Sequence, residues 1–138
     1  KIHQYTILCA PRMGQHAAAA SLQEGFEDGF AAVEEMRSEY DKRRRFLVKS
    51  FNEIGLTCFE PRGAFYAFPS VKGTRLTGDL FANRLLMTER VAVVPGDAFG
   101  ECGNFHIRCS YATGIKKLTE AVERISRFVK RVGEEGKK

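Results

Sequence analysis

Asn104-Phe105-His106-Ile107-Arg108-Cys109-Ser110-Tyr111 is the stretch from which the architecture can be built. Successive side chains on a strand point to opposite faces, so Phe105, Ile107 and Cys109 share one face and His106, Arg108 and Ser110 the other. Arg108 therefore points away from its apolar neighbours, in mid-strand, where a guanidinium is uncommon. Its rigid fork can grip a carboxylate through two parallel hydrogen bonds. From spacing alone, a structural acidic partner or open solvent is the commoner explanation of such a residue.

C-terminal to this strand, Thr113 is placed to cap a helix whose apolar stripe is Ile115, Leu118, Val122, Ile125, Val129 and Val132, with residues 133–138 fraying. N-terminal to it, residues 91–94 read as a short buried strand, followed by a turn at Pro95-Gly96-Asp97 and a Gly-rich loop containing Phe99. Thr77 caps a helix to Glu89 with Leu80, Phe81, Leu85 and Leu86 on its apolar side, after a polar connection at 71–76. Residues 56–60 and 64–68, separated by Pro61-Arg62-Gly63, read as a hairpin. Residues 15–54 read as two consecutive helices or one bent helix, weakened at Gly25 and Gly29 and stopped by Gly55, with Val33, Met36, Tyr40, Leu47, Phe51 and Ile54 in helical period. A continuous helix of that length would run about 60 Å, long enough to bridge two domains. Residues 1–11 read as an extended segment that should bury Ile7, Leu8 and Cys9. The fold class is thus α+β: a small, mainly antiparallel sheet packed against helices and preceded by a long interdomain helix.

Composition sets the outer limits. The chain has 138 residues, 43% of them hydrophobic and 28% charged, which suits a globular domain and excludes disorder or a collagen-like repeat. No apolar run approaches the roughly 18 residues of a membrane helix. The chain begins Lys1-Ile2-His3, without Met, and reads as processed or as part of something longer. The net charge of +5 is not gathered in one place: Asp41-Lys42-Arg43-Arg44-Arg45 follows Glu34, Glu35 and Glu39, and mixed signs at this spacing indicate a solvated helix face with i,i+4 pairs. Cys9, Cys58, Cys102 and Cys109 match no disulfide framework and read as free, mostly buried thiols in a reducing, cytoplasmic setting.

Other chemistries fare poorly. Cys102, His106 and Cys109 have zinc-like spacing, but His106 and Cys109 fall on opposite strand faces and no second ligand pair accompanies them. Residues 62–68 resemble an RNA-binding strand motif, but Ala64 and Phe65 are reversed and Pro69 takes the last aromatic place. The phosphate-loop, dinucleotide and nucleophile-elbow patterns are missing.

Five segments in order nevertheless carry a resemblance. They are residues 1–11 followed by Gln15-His16-Ala17-Ala18; Arg43-Arg44-Arg45; Gly63-Ala64-Phe65-Tyr66-Ala67-Phe68-Pro69; Val91-Ala92-Val93-Val94-Pro95-Gly96 with Ala98-Phe99-Gly100; and His106-Ile107-Arg108-Cys109-Ser110-Tyr111-Ala112. The set resembles the C-terminal part of class I and II (fold type I) pyridoxal-phosphate-dependent aminotransferases, and its opening segment looks most like the prokaryotic subgroup acting on aspartate, alanine or aromatic amino acids, with aspartate or aromatic substrates expected. The resemblance implies transfer of an amino group between an amino acid and a 2-oxo acid. It implies that Arg108 binds the substrate α-carboxylate and that Phe99 lines the pocket. It further implies that residues 1–29 end the cofactor domain and linking helix, that residues 30–138 form the small domain, and that the full-length protein is a homodimer. The family's cofactor lysine lies before the segment that starts here, so no catalytic residue and no bound pyridoxal 5'-phosphate are expected in this chain alone, nor any metal, nucleic acid or membrane. Arg12 and Gly14 depart from the family pattern. Two readings of other classes stay open: an RNA-binding α+β module using Tyr66 and Phe68, and a non-catalytic dimerisation or regulatory domain.

Overall fold

The computed structural model describes residues 1–136, which form two compact units, one of residues 1–38 and one from residue 39 onward. In the first unit, α1 spans Ile2–Ile7 and α2 spans Arg12–Asp28. Helix α3, Ala31–Glu53, begins in this unit and continues into the second. The break between α2 and α3 falls at Gly29, left-handed at φ 69°. Phe30 N–H donates to the Gly25 carbonyl at 2.8 Å, closing the helix end as glycine-terminated helices do. The Phe30 ring lies where a Gly25 β-carbon would be, which accounts for both glycines. The expected extended segment at 1–11 is instead α1 and a bend, and Ile7, Leu8 and Cys9 are exposed rather than buried. Without strand partners, a local helix is what can satisfy this backbone.

In the second unit, α4 is Gly78–Glu89 and α5 is Ile115–Glu135. Three short strands, β1 (Tyr66–Ala67), β2 (Val94–Pro95) and β3 (Ile107–Ser110), form an antiparallel sheet with β3 in the centre. The core joins Leu47 and Phe51 of α3, Phe81 and Leu85 of α4, Ile107 and Cys109 of β3, and Leu118, Ile125, Phe128 and Val132 of α5. Phe81 and Phe128 meet edge to face with centroids 5.0 Å apart. This is the α+β layer that the order of helices and strands in the sequence predicts.

Several details differ from expectation. Residues 56–60 form no strand: the Asn52 side chain donates to the Cys58 carbonyl (3.0 Å) and accepts from its N–H (3.1 Å), taking the groups a hairpin ladder would use. β1 pairs with β3 instead. Thr77 caps α4 as expected, its hydroxyl accepting from Leu80 N–H, but Leu80 and Leu86 are exposed and Ala82 completes the buried stripe with Phe81 and Leu85. Residues 91–94 are only partly buried, and strand pairing begins at Val94. Gly114, not Thr113, occupies the N-cap of α5, with no side-chain cap. On α5, Phe128 is fully buried while Ile115 is exposed, and the helix continues through Glu135 rather than fraying from 133; residues 137 and 138 lie outside the described residues. Val33 and Met36 are exposed. Two of the four thiols, Cys9 and Cys102, are exposed, against the expectation of mostly buried ones. No helix of the described residues is long and apolar enough to cross a membrane.

Candidate functional site

The sheet has one face in the core and one facing out. Tyr66 pairs with Ser110 and Ala67 with Cys109; the same register, continued, brings Phe68 opposite Arg108 and is seen again at the Ser70–His106 bridge. On the other flank Val94 pairs with Arg108. Ala67, Ile107 and Cys109 thus face the core, while Tyr66, Phe68, His106, Arg108 and Ser110 share the outer face.

On that face Arg108 is half-buried, with its guanidinium carbon 4.3 Å from the centre of the Tyr66 ring and 4.4 Å from that of Phe99. Such contacts contribute about 0.5–2 kcal/mol each. Among the described residues no carboxylate pairs with Arg108 and none of its guanidinium N–H groups makes a hydrogen bond. The structural partner that would have explained this arginine is therefore not what holds it. Tyr66 comes from β1 and Phe99 from the 3-10 turn Gly96–Phe99, so the rings reach Arg108 from the two flanks of β3.

Phe99 owes its place to a close backbone approach. Gly96 N–H donates to the His106 carbonyl at 2.8 Å, and a β-carbon on Gly96 would collide with the Gly103 and His106 carbonyl oxygens. A β-carbon on Gly103 would likewise strike the Gly96 carbonyl. Phe68 then meets Phe99 edge-on at 6.2 Å, and His106 stacks on Phe68 at 5.1 Å with the rings 3° from parallel. The His106 Nδ1 is buried without a partner among the described residues. On the far side, Phe65 packs on Tyr66 at 4.6 Å, and Tyr40 on Phe65 at 6.0 Å.

The structure brings together both residues singled out in the sequence, Arg108 and Phe99. It adds Tyr66, Phe68 and His106, whose signal was the aromatic density of 65–68 and the parity of 106 with 108. Cys102, His106 and Cys109 are not brought together: Cys102 is exposed in the 3-10 turn Glu101–Gly103, Cys109 is in the core, and His106 faces out. The arginine run at 43–45 is more than a solvated face. Arg44 donates to Asp41 at 2.6 Å and reaches Glu60 and the Pro61 carbonyl, tying α3 to the following segment. The Arg44 hydrogen bond holds the Asp41 carboxyl below its ordinary range.

The domain is thus α+β, with a half-buried guanidinium, unpaired among the described residues, on an open sheet face, a group whose chemistry suits an anion. The family of class I and II aminotransferases matches residues 2–125, and the chain belongs to that family. YugH of Bacillus subtilis strain 168, whose name places it among the aminotransferases, is 53% identical over 94% of this chain and 32% of its own length. An aspartate aminotransferase of Pyrococcus abyssi is 45% identical over 94% of this chain and 33% of its length. The crystal structure of an aromatic aminotransferase from Pyrococcus horikoshii superposes with a TM-score of 0.86 at 46% identity, covering 94% of this chain and 34% of that one. The chain spans about a third of the length of the relatives it matches.

Proposed function

We propose that this chain is the C-terminal part of an aminotransferase in which Arg108 binds the α-carboxylate common to the amino-acid and 2-oxo-acid substrates. The observation that carries this reading is the half-buried Arg108 guanidinium, held by two rings and paired with no carboxylate among the described residues. Its planar fork can meet both carboxylate oxygens at once, which orients the substrate as well as binding it. Because both half-reactions carry the same carboxylate, one clamp serves both. Phe99, half exposed beside Arg108, borders the substrate side chain. Aspartate and aromatic amino acids are the donor classes we favour, on the strength of the relatives' names. In the same reading, residues 1–29 belong with a cofactor domain and linking helix, residues 30–138 with the small domain, and the whole protein is a cytoplasmic homodimer.

The family implies pyridoxal phosphate, which when bound supplies the electron sink for amino-group transfer. The outer face around Arg108 presents aromatic rings, an imidazole and a hydroxyl. These fit a carboxylate beside a guanidinium, and none of them is a primary amine to which the cofactor could attach. In this reading the groups that hold the cofactor belong to another part of the full-length protein.

In the full-length protein, Arg108→Lys should raise KM for both the amino acid and the 2-oxo acid by about tenfold or more, since a lysine cannot form the fork. Unchanged kcat and KM would remove Arg108 from the site.

A further inference from the structure

We propose that Tyr66 and Phe99 are the positioning residues of the Arg108 clamp: they hold the guanidinium carbon over their ring faces and leave its N–H donors to the substrate. This inference rests on the reading of Arg108 as the carboxylate site.

An arginine side chain has many rotamers, and a free one would have to be ordered each time a carboxylate arrived. A neighbouring aspartate or glutamate could order it, but would occupy the donors and cancel the charge that the substrate needs. Aromatic rings have neither drawback. They attract the cation through the ring face and bring no carboxylate to compete for its N–H groups. The Arg108 carbon lies 4.3 Å from the Tyr66 centroid and 4.4 Å from that of Phe99, close for such pairs, and no donor is spent on a protein acceptor among the described residues.

Both rings are themselves held. Tyr66 packs on Phe65, which packs on Tyr40 of α3. Phe99 is braced by Phe68, which is braced in turn by His106. The turn carrying Phe99 is pinned by the contact between Gly96 and Gly103. The guanidinium is therefore set in place before a ligand is present.

The test uses the full-length enzyme and compares Tyr66→Leu, Phe99→Leu, Tyr66→Phe, Phe99→Tyr and Arg108→Lys. The leucine variants should raise KM for both amino acid and 2-oxo acid, and Ki for propionate as a bare carboxylate, by about 2- to 30-fold, with a smaller change in kcat. The aromatic replacements should restore values near wild type. If Arg108→Lys raises KM while both leucine variants stay within twofold of wild type, the positioning role is overturned and the carboxylate reading stands. If Arg108→Lys itself changes nothing, both fall. If the aromatic replacements fail to restore KM, the rings act through packing alone and the inference is wrong. Should Tyr66→Leu not fold, as read by its thermal transition, the half-exposed Phe99 still decides the matter through Phe99→Leu and Phe99→Tyr.

Discussion

Cys109 sits one residue beyond Arg108 and faces the opposite way, into the core. Burial, with a smaller contribution from neighbouring Cys58, pushes its thiol from an ordinary 9.0 up to about 12. The sign of the consequence follows from linkage. The folded state keeps the proton to higher pH than the unfolded chain, so the contribution is fully present below pH 9.0 and is lost as pH rises towards 12. We expect denaturant midpoints to fall across that window, and Cys109→Ala to flatten the fall relative to its own neutral-pH value. A slope identical to wild type would show that Cys109 is not the group responsible. The opposite orientations of Arg108 and Cys109 are legible in the sequence because strand parity is a local rule. Tyr66 beside Arg108 is not, since that contact needs the register between two strands far apart in the chain.

Between elements, the best-connected ion is Glu89, at the C-terminal end of α4. Its carboxylate accepts from Arg127 at 3.2 Å and pairs with Arg131 at 3.1 Å, and its side chain is only 9% exposed. Arg124 donates to its backbone carbonyl at 3.0 Å, so three arginines of α5 converge on the last turn of α4, where cations are favoured. Glu89→Gln should cost about 1–2 kcal/mol: charge-assisted bonds are lost, and the exposure of Arg127 and Arg131 limits the penalty. Thermal unfolding of E89Q checks this, and the loss should shrink in an Arg127→Gln/Arg131→Gln background; an equal loss there would mean that the arginines are not its partners. The charge pattern of α5 is readable from sequence as a mixed-sign face, but not the convergence on Glu89. For the same reason the Thr77 cap can be read from its own helix, whereas the failure of residues 56–60 to pair depends on the Asn52 amide folding back from α3. Short β-elements are set by such competition, which local propensity does not register.

Across the whole chain, the apolar residues are unevenly used. The second unit buries Phe51, Phe81, Ile107, Tyr111 and Phe128 almost completely. In the first, α1 buries nothing and α2 only Gly25, while Ile2, Tyr5, Leu8, Met13, Leu22 and Phe26 are exposed. The sequence shows the helical propensity of 15–20 and the glycine break, because both are local; it cannot show that the apolar side chains there lack cover within their own unit. Helical propensity alone leaves segments of 6 and 17 residues marginal, since nucleation is costly and tertiary burial normally supplies the stability. Local opening free energies should therefore differ sharply along the chain. In hydrogen exchange on the 138-residue chain, amides of α1 and α2 should exchange at least a hundredfold faster than those of α5 around Ile125 and Phe128, a gap of about 2.7 kcal/mol or more in opening free energy. Equal protection would show that residues 2–28 are covered in solution, by another copy of the chain or by the rest of this one. Dilution separates those two cases: protection by a second copy fades with protein concentration, and protection from within the chain does not.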